Sequence, residues 1–162
     1  DKEYEGVIRL GMTTDSYDLD GTVTGTAAWD GIVREQAEAA MAAFLGDQMQ
    51  TPPMVSAIKK NGVPLYKLAR RGETVERTPR LIHLYEFSLQ DWTPPDFAFR
   101  LRCTKGVYVR AVAHDLGQAL GCGAALARLR RTASGAFRVE RAAPLDAVLA
   151  CRPPTWRRGS CP

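Results

Sequence analysis

Apolar positions along the chain fall into short alternating runs, two stretches of helical period, and turn residues between them. Tyr4 to Thr13 alternates like a strand, with Val7, Ile8 and Leu10 as its apolar residues. The stretch Thr14-Asp15-Ser16-Tyr17-Asp18-Leu19-Asp20-Gly21 reads as a turn-rich acidic loop. Between Ile32 and Leu45, Val33, Ala37, Ala40, Met41, Phe44 and Leu45 share one helical face, and Gly46 is a natural stop. Gln48 to Pro53 is expected to be extended, because residues before proline avoid the helical region. Met54 to Lys60 reads as a strand entering an Asn61-Gly62 turn. Pro64 to Arg71 predicts a short helix closed by Gly72. Val75 to Trp92 and Phe97 to Cys103 predict antiparallel strands around a Pro94-Pro95 turn. Val107 to Leu120 predicts a helix with Val109, Val112, Ala113, Leu116 and Leu120 on one side, broken by Gly121-Cys122-Gly123. Ala124 to Arg131 sets Leu126 and Leu129 three apart with Arg128, Arg130 and Arg131 interleaved. Strand pattern returns from Thr132 to Val139, and Pro144 to Leu149 predicts a short helix. The sum is one α/β domain of the α+β type over residues 1–150, a mixed, mostly antiparallel sheet with flanking helices. Residues 151–162 show no periodicity and are expected to be a disordered tail.

Composition narrows the class. The chain has 162 residues, 45% hydrophobic and 25% charged. A chain of this size buries roughly two-thirds of its unfolded surface, so neither disulfides nor a metal is required for folding. No apolar run approaches the ~18 residues of a membrane span. The start, Asp1-Lys2-Glu3-Tyr4-Glu5, lacks Met and any signal-peptide pattern and runs straight into a strand, so the chain is expected to begin inside a domain. Charge is unevenly spread. Three of the 22 Lys/Arg and ten of the 18 Asp/Glu fall in residues 1–50, a net of −7. The other 19 and 8 fall in residues 51–162, a net of +11. That basic part fits either a polyanionic partner or a solvated surface. Cys103, Cys122, Cys151 and Cys161 have no zinc-ligand spacing, and His83 and His114 have no metal-site partners, so no metal and no disulfide is expected. Cys103, in an apolar strand, reads as a small core residue. Glycine-rich nucleotide-binding motifs are absent, so no nucleotide cofactor is expected.

Three clusters carry candidate chemistry. Lys2-x-Tyr4 sets an aromatic at a strand edge, where it either stacks on a base or packs. The Asp15/Asp18/Asp20 loop lacks calcium-loop spacing and a terminal Glu, leaving turn-forming carboxylates as the simple reading. Cys103-Thr104-Lys105-Gly106-Val107-Tyr108-Val109-Arg110 ends a strand and opens a helix. Arg110 is poorly matched to the positive end of that helix dipole. It is explained either by pairing with a carboxylate or phosphate, which the guanidinium fork suits, or by a surface salt bridge.

Taken together, these residues resemble the bacterial TruB family of tRNA pseudouridine synthases, which isomerise the T-loop uridine, uridine-55. Lys2-x-Tyr4 and Arg9-Leu10-Gly11-x-x-Thr14-Asp15-x-x-Asp18-x-Asp20-Gly21 carry the first part of the likeness. Phe44-x-Gly46 and Gln50-x-Pro52-Pro53-Met54-x-Ser56-Ala57-x-Lys59-x-x-Gly62-x-Pro64-Leu65-Tyr66-x-x-Ala69-Arg70-x-Gly72 continue it. Cys103-Thr104-Lys105-Gly106-x-Tyr108-x-Arg110 and Asp115-Leu116-Gly117-x-x-Leu120-Gly121-Cys122-Gly123-Ala124-x-Leu126-x-x-Leu129-Arg130-Arg131 complete it. The likeness runs from about residue 2 to residue 149.

The resemblance implies a pseudouridine synthase-like catalytic domain, incomplete at the N-terminus, with tRNA as partner. Tyr4 matches the tyrosine that stacks on the flipped uracil and is a candidate for proton transfer. Arg110 matches the arginine paired with the family's catalytic aspartate. Tyr108 and Leu129 match residues lining the uridine pocket, and Asp18 an acidic residue near the T loop. Lys105, Arg130 and Arg131 are expected to contact the RNA backbone, an inference from their charge. The family uses no metal or cofactor; a cytoplasmic monomer acting on the T-stem-loop is expected. One departure matters. The family's nucleophilic Asp lies upstream of Lys-x-Tyr in a Gly-x-Leu-Asp-Pro-x-Ala-x-Gly segment, and Leu-Asp-Pro occurs nowhere in this sequence. Turnover by these 162 residues alone is therefore not expected, since covalent catalysis cannot spare its nucleophile. The alternative is a catalytically inactive RNA-binding remnant of such an enzyme.

Overall fold

A computed structural model describes residues 1–56, 58–60, 62–69, 71–73 and 75–150. In chain order the elements are β1 (Lys2–Leu10), β2 (Met12–Thr14), β3 (Val23–Thr26), α1 (Arg34–Ala43), β4 (Gly46–Gln50), β5 (Lys59–Lys60), β6 (Val63–Pro64), α2 (Leu65–Ala69), β7 (Arg80–Thr93), β8 (Asp96–Cys103), α3 (Val109–Ala119), β9 (Ala124–Ser134), β10 (Phe137–Arg138) and α4 (Leu145–Ala150). Six of the strands form one antiparallel sheet in the order β10-β9-β1-β8-β7-β4. The α+β, mostly antiparallel expectation therefore matches. The tail expected at 151–162 lies outside the described residues.

One face of the sheet is apolar because alternate residues of each strand point the same way. Ile8 and Leu10 of β1, Ile82 and Leu84 of β7, and Phe97, Phe99, Leu101 and Cys103 of β8 form that face. Met41 of α1 and Val109, Val112, Ala113 and Leu116 of α3 cover it. Cys103 is thus a core residue, fully buried. The other face of the central strands is charged, and Glu3 accepts from Arg138 and forms an ion pair with Arg100 across it.

Several predicted boundaries shift, each for a local reason. The strand read over Tyr4–Thr13 divides at Gly11, whose φ of +82° turns the backbone out of extended geometry. Met54–Ser56 bends rather than extends, following Pro52-Pro53, which have no N–H to give a ladder. Strand β7 begins at Arg80, not Val75, just after Pro79. The strand expected from Thr132 instead starts at Ala124, and Gly135 turns it back into β10. Two bulges explain the misleading spacing. In the β1–β9 ladder Val7 faces Arg128 while Ile8 faces Leu126, so Ala127 is an extra residue; Thr132 is another, between the pairs Tyr4–Arg131 and Glu3–Ala133. A bulge advances the alternation by one residue. Leu126 and Leu129 consequently share a sheet face although they lie three apart.

Candidate active site

At the junction of β1, β9, the acidic loop and the start of α3 lies a cleft of about 310 Å³. It is lined by Tyr4, Asp18, Val107, Tyr108, Arg110, Leu126 and Leu129, together with Val109. Five residues chosen from sequence, spread from position 4 to position 129, thus meet in one concavity.

Each wall has its own origin. Tyr4 and Leu129 come from the shared face of β1 and β9: Tyr4 stands opposite Arg131, and Gly6 opposite Leu129. Burial pushes the Tyr4 phenol above its ordinary value of 10.0, with Cys103 beneath it adding to the shift. The Arg131 guanidinium, by charge and hydrogen bonding, pulls the other way. Asp18 sits in a loop pinned at both ends. Thr14 Oγ1 donates to the Asp18 carbonyl at 2.8 Å, and the Leu19 and Leu126 amides bond across to Leu126 and Tyr17 carbonyls, each at 3.0 Å. The Tyr17 ring, carried by a residue at φ +68°, stacks on His114 of α3 at 3.9 Å and 14°. The Asp18 carboxylate itself accepts from the Asp20 amide at 3.0 Å. It is the one carboxylate lining the cleft among the described residues.

The third wall is the opening of α3. Tyr108 caps the helix with extended backbone and no side-chain cap bond, and Arg110 follows in the first turn. The expected carboxylate or phosphate partner of Arg110 is not what the structure places there. Its Nη2 donates to the Val55 carbonyl, and its guanidinium carbon stands 6.0 Å from the centre of the Tyr108 ring. A neutral carbonyl leaves the arginine's positive charge uncompensated at the cleft.

Two sequence candidates stand elsewhere. Lys105 lies in the turn before α3 and lines a separate groove with Asp47, His83 and Thr104. Arg130 pairs in register with Glu5, on the sheet face opposite Tyr4. The Thr132 and Ala127 bulges are the reason: they decide which of the clustered arginines of β9 shares Tyr4's side, and Arg131 does. Sequence reading assigned no role to Gln50, Val55, Tyr17 or His114, all of which hold the walls. No three His, Cys, Asp or Glu side chains gather to hold a metal among the described residues.

Solved structures share this fold. A Cbf5–Nop10–Gar1 complex contains a chain matching 85% of this one with a TM-score of 0.59 and 27% identity, over 31% of its own length. At 22% identity and a TM-score of 0.54, an H/ACA ribonucleoprotein bound to a substrate RNA containing 2′-deoxyuridine shares the fold over 85% of this chain and 29% of its own. The model of the TruB family pseudouridylate synthase N-terminal domain matches residues 1–109, and that of the tRNA pseudouridylate synthase B C-terminal domain matches residues 110–152. The chain belongs to the TruB family. Similar curated proteins are the tRNA pseudouridine synthases B of Opitutus terrae, 59% identical over 91% of this chain, and of Dechloromonas aromatica, 44% identical over 94%. The chain spans 61% and 57% of those relatives' lengths. The two family segments share a single sheet, because β9 from the second pairs with β1 from the first.

Proposed function

We propose that the protein carrying this chain is a tRNA pseudouridine synthase that isomerises the T-loop uridine, uridine-55, and that the Tyr4–Arg110 cleft receives the flipped base. The convergence of Tyr4, Asp18, Tyr108, Arg110 and Leu129 on one cleft carries this reading, and membership of the TruB family supports it. In the isomerisation the bond from ribose C1′ to uracil N1 is exchanged for one to C5, the C5 hydrogen leaves to solvent as a proton, and N1 takes up a proton. A uridine must leave its stack to react, which costs a few kcal/mol and is offset by stacking and phosphate contacts. Tyr4 supplies the stacking face and, its phenol kept protonated by burial, an O–H for proton transfer. Tyr108 and Leu129 bound the base. Arg110, held by a neutral carbonyl, is free to exchange that bond for the nucleophilic carboxylate. Arg131 and, further out, Lys105 contact phosphates, whereas Arg130, on the opposite sheet face, does not. No described helix is long and apolar enough to cross a membrane, and a cytoplasmic monomer acting on the T-stem-loop completes the reading.

The test is tritium release from C5-labelled uridine in a T-stem-loop RNA by the full-length protein. Release that Arg110→Ala abolishes is the expected result; no release by the intact protein sinks the proposal. For the 162-residue polypeptide by itself, binding without turnover is expected. The observation favouring this second reading is that Asp18, the one carboxylate lining the cleft among the described residues, accepts from the Asp20 amide of its own turn.

A further inference from the structure

We infer that Gln50 is a positioning residue for this cleft, fixing the Tyr108 ring and the Arg110 guanidinium through the Tyr108 backbone; the inference rests on the uridine-isomerising reading above. Gln50 ends β4 and is only 5% exposed, so its amide must find partners inside the protein. It finds both on one residue, 58 positions away. Oε1 accepts from the Tyr108 N–H at 2.9 Å, and Nε2 donates to the Tyr108 carbonyl at 3.1 Å. The glutamine amide thus matches its acceptor to the N–H and its donor to the carbonyl of one residue, so the pairing fixes orientation as well as distance. The Tyr108 N–H needs such a partner, since the residue caps α3 and its own side chain makes no cap bond; its carbonyl also takes the Ala111 and Val112 amides. Five residues beyond Gln50, the Val55 carbonyl holds the Arg110 guanidinium. Residues 50–55 therefore grip the opening turn of α3 twice, once at its backbone and once at its charged side chain. Gln50 does not line the cleft; it acts only through what does.

Full-length protein with Gln50→Ala and Gln50→Glu is assayed by tritium release, with thermal melting and hydrogen exchange at Tyr108 read alongside. Misplacing a group that orients a reacting base costs up to ~100-fold, whereas RNA affinity is spread over many phosphate contacts. Gln50→Ala is therefore expected to lower kcat by about 10- to 100-fold with KM within about threefold. In Gln50→Glu the ionised carboxylate still accepts from the Tyr108 N–H but turns a second oxygen on the Tyr108 carbonyl; protonation restores the donor. Its kcat should accordingly rise as pH falls, a limb the wild type lacks. A folded Gln50→Ala with kcat within twofold of wild type, or a Gln50→Glu profile parallel to wild type, overturns the inference. If Gln50→Ala does not fold, the Gln50→Glu profile decides. If the wild type itself releases no tritium, the functional reading has failed and the clamp is judged on exchange alone: at least tenfold faster at Tyr108 in Gln50→Ala, or in Gln50→Leu where the alanine variant does not fold, supports it, and an unchanged rate overturns it.

Discussion

Tyr4 is where burial and charge compete most directly. Its phenol is pushed up by desolvation and by Cys103, and restrained by Arg131 across the β1–β9 ladder. Cys103 is itself raised to about 11 by burial, which leaves it a neutral thiol in the core rather than a nucleophile. The signs give a clear expectation. Titrated by phenolate absorbance as the difference between wild type and Tyr4→Phe, the Tyr4 midpoint lies above 10.0. Arg131→Ala moves it further up, because the one influence lowering it is gone. A midpoint that falls in Arg131→Ala would show that the guanidinium does not face the hydroxyl. At this scale the sequence was informative where chemistry and position coincide, as for Tyr4, Tyr108 and Arg110. It was silent on Gln50, because a glutamine's worth depends on a backbone 58 residues away.

Between elements, α3 packs closely against the start of β9 at Gly117. A Cβ on Gly117 would stand 2.0 Å from the Ala124 amide nitrogen and 2.4 Å from the Gly123 carbonyl carbon. Both are backbone atoms, so no side-chain adjustment relieves the clash. Gly117→Ala should destabilise the protein by about 1–3 kcal/mol, the usual cost of overpacking, seen as a lower denaturation midpoint. An unchanged midpoint would mean that α3 can shift, and the cleft wall with it. This contact also shows why elements were more legible than their register. The Gly121-Cys122-Gly123 break, the helix before it and the strands β7 and β8 follow from period and turn residues. The bulges at Ala127 and Thr132 do not, because an extra residue breaks alternation in a way that only the partner strand reveals. A bulged strand with leucines three apart imitates helical spacing, and so β9 was read eight residues too short at its start. The same bulges sort Arg130 from Arg131, which adjacent letters could not.

For the whole molecule, net charge overstates what is available to a polyanion. Arg9 is bound to Asp96 through two hydrogen bonds of 2.7 and 2.8 Å, Arg34 pairs with Glu38, and Arg100 and Arg138 share Glu3. Arg100 and Arg138 answer a carboxylate of the acidic residues 1–50, so part of the +11 of residues 51–162 is spent within the fold. The outer face of the sheet is therefore nearly balanced, and Arg131 is the arginine of β9 that shares Tyr4's side. Counterion release follows the phosphates neutralised, with a slope of about −0.7 to −0.9 in log K against log salt for each. Binding of a T-stem-loop measured between 50 and 200 mM salt should thus lose about one such unit of slope in Arg131→Ala. Arg100→Ala and Arg130→Ala, on the opposite face, should leave the slope within error. Equal losses for all three would place the RNA on the outer face and separate its binding surface from the cleft; a loss confined to Arg131 ties the two together through the β9 register.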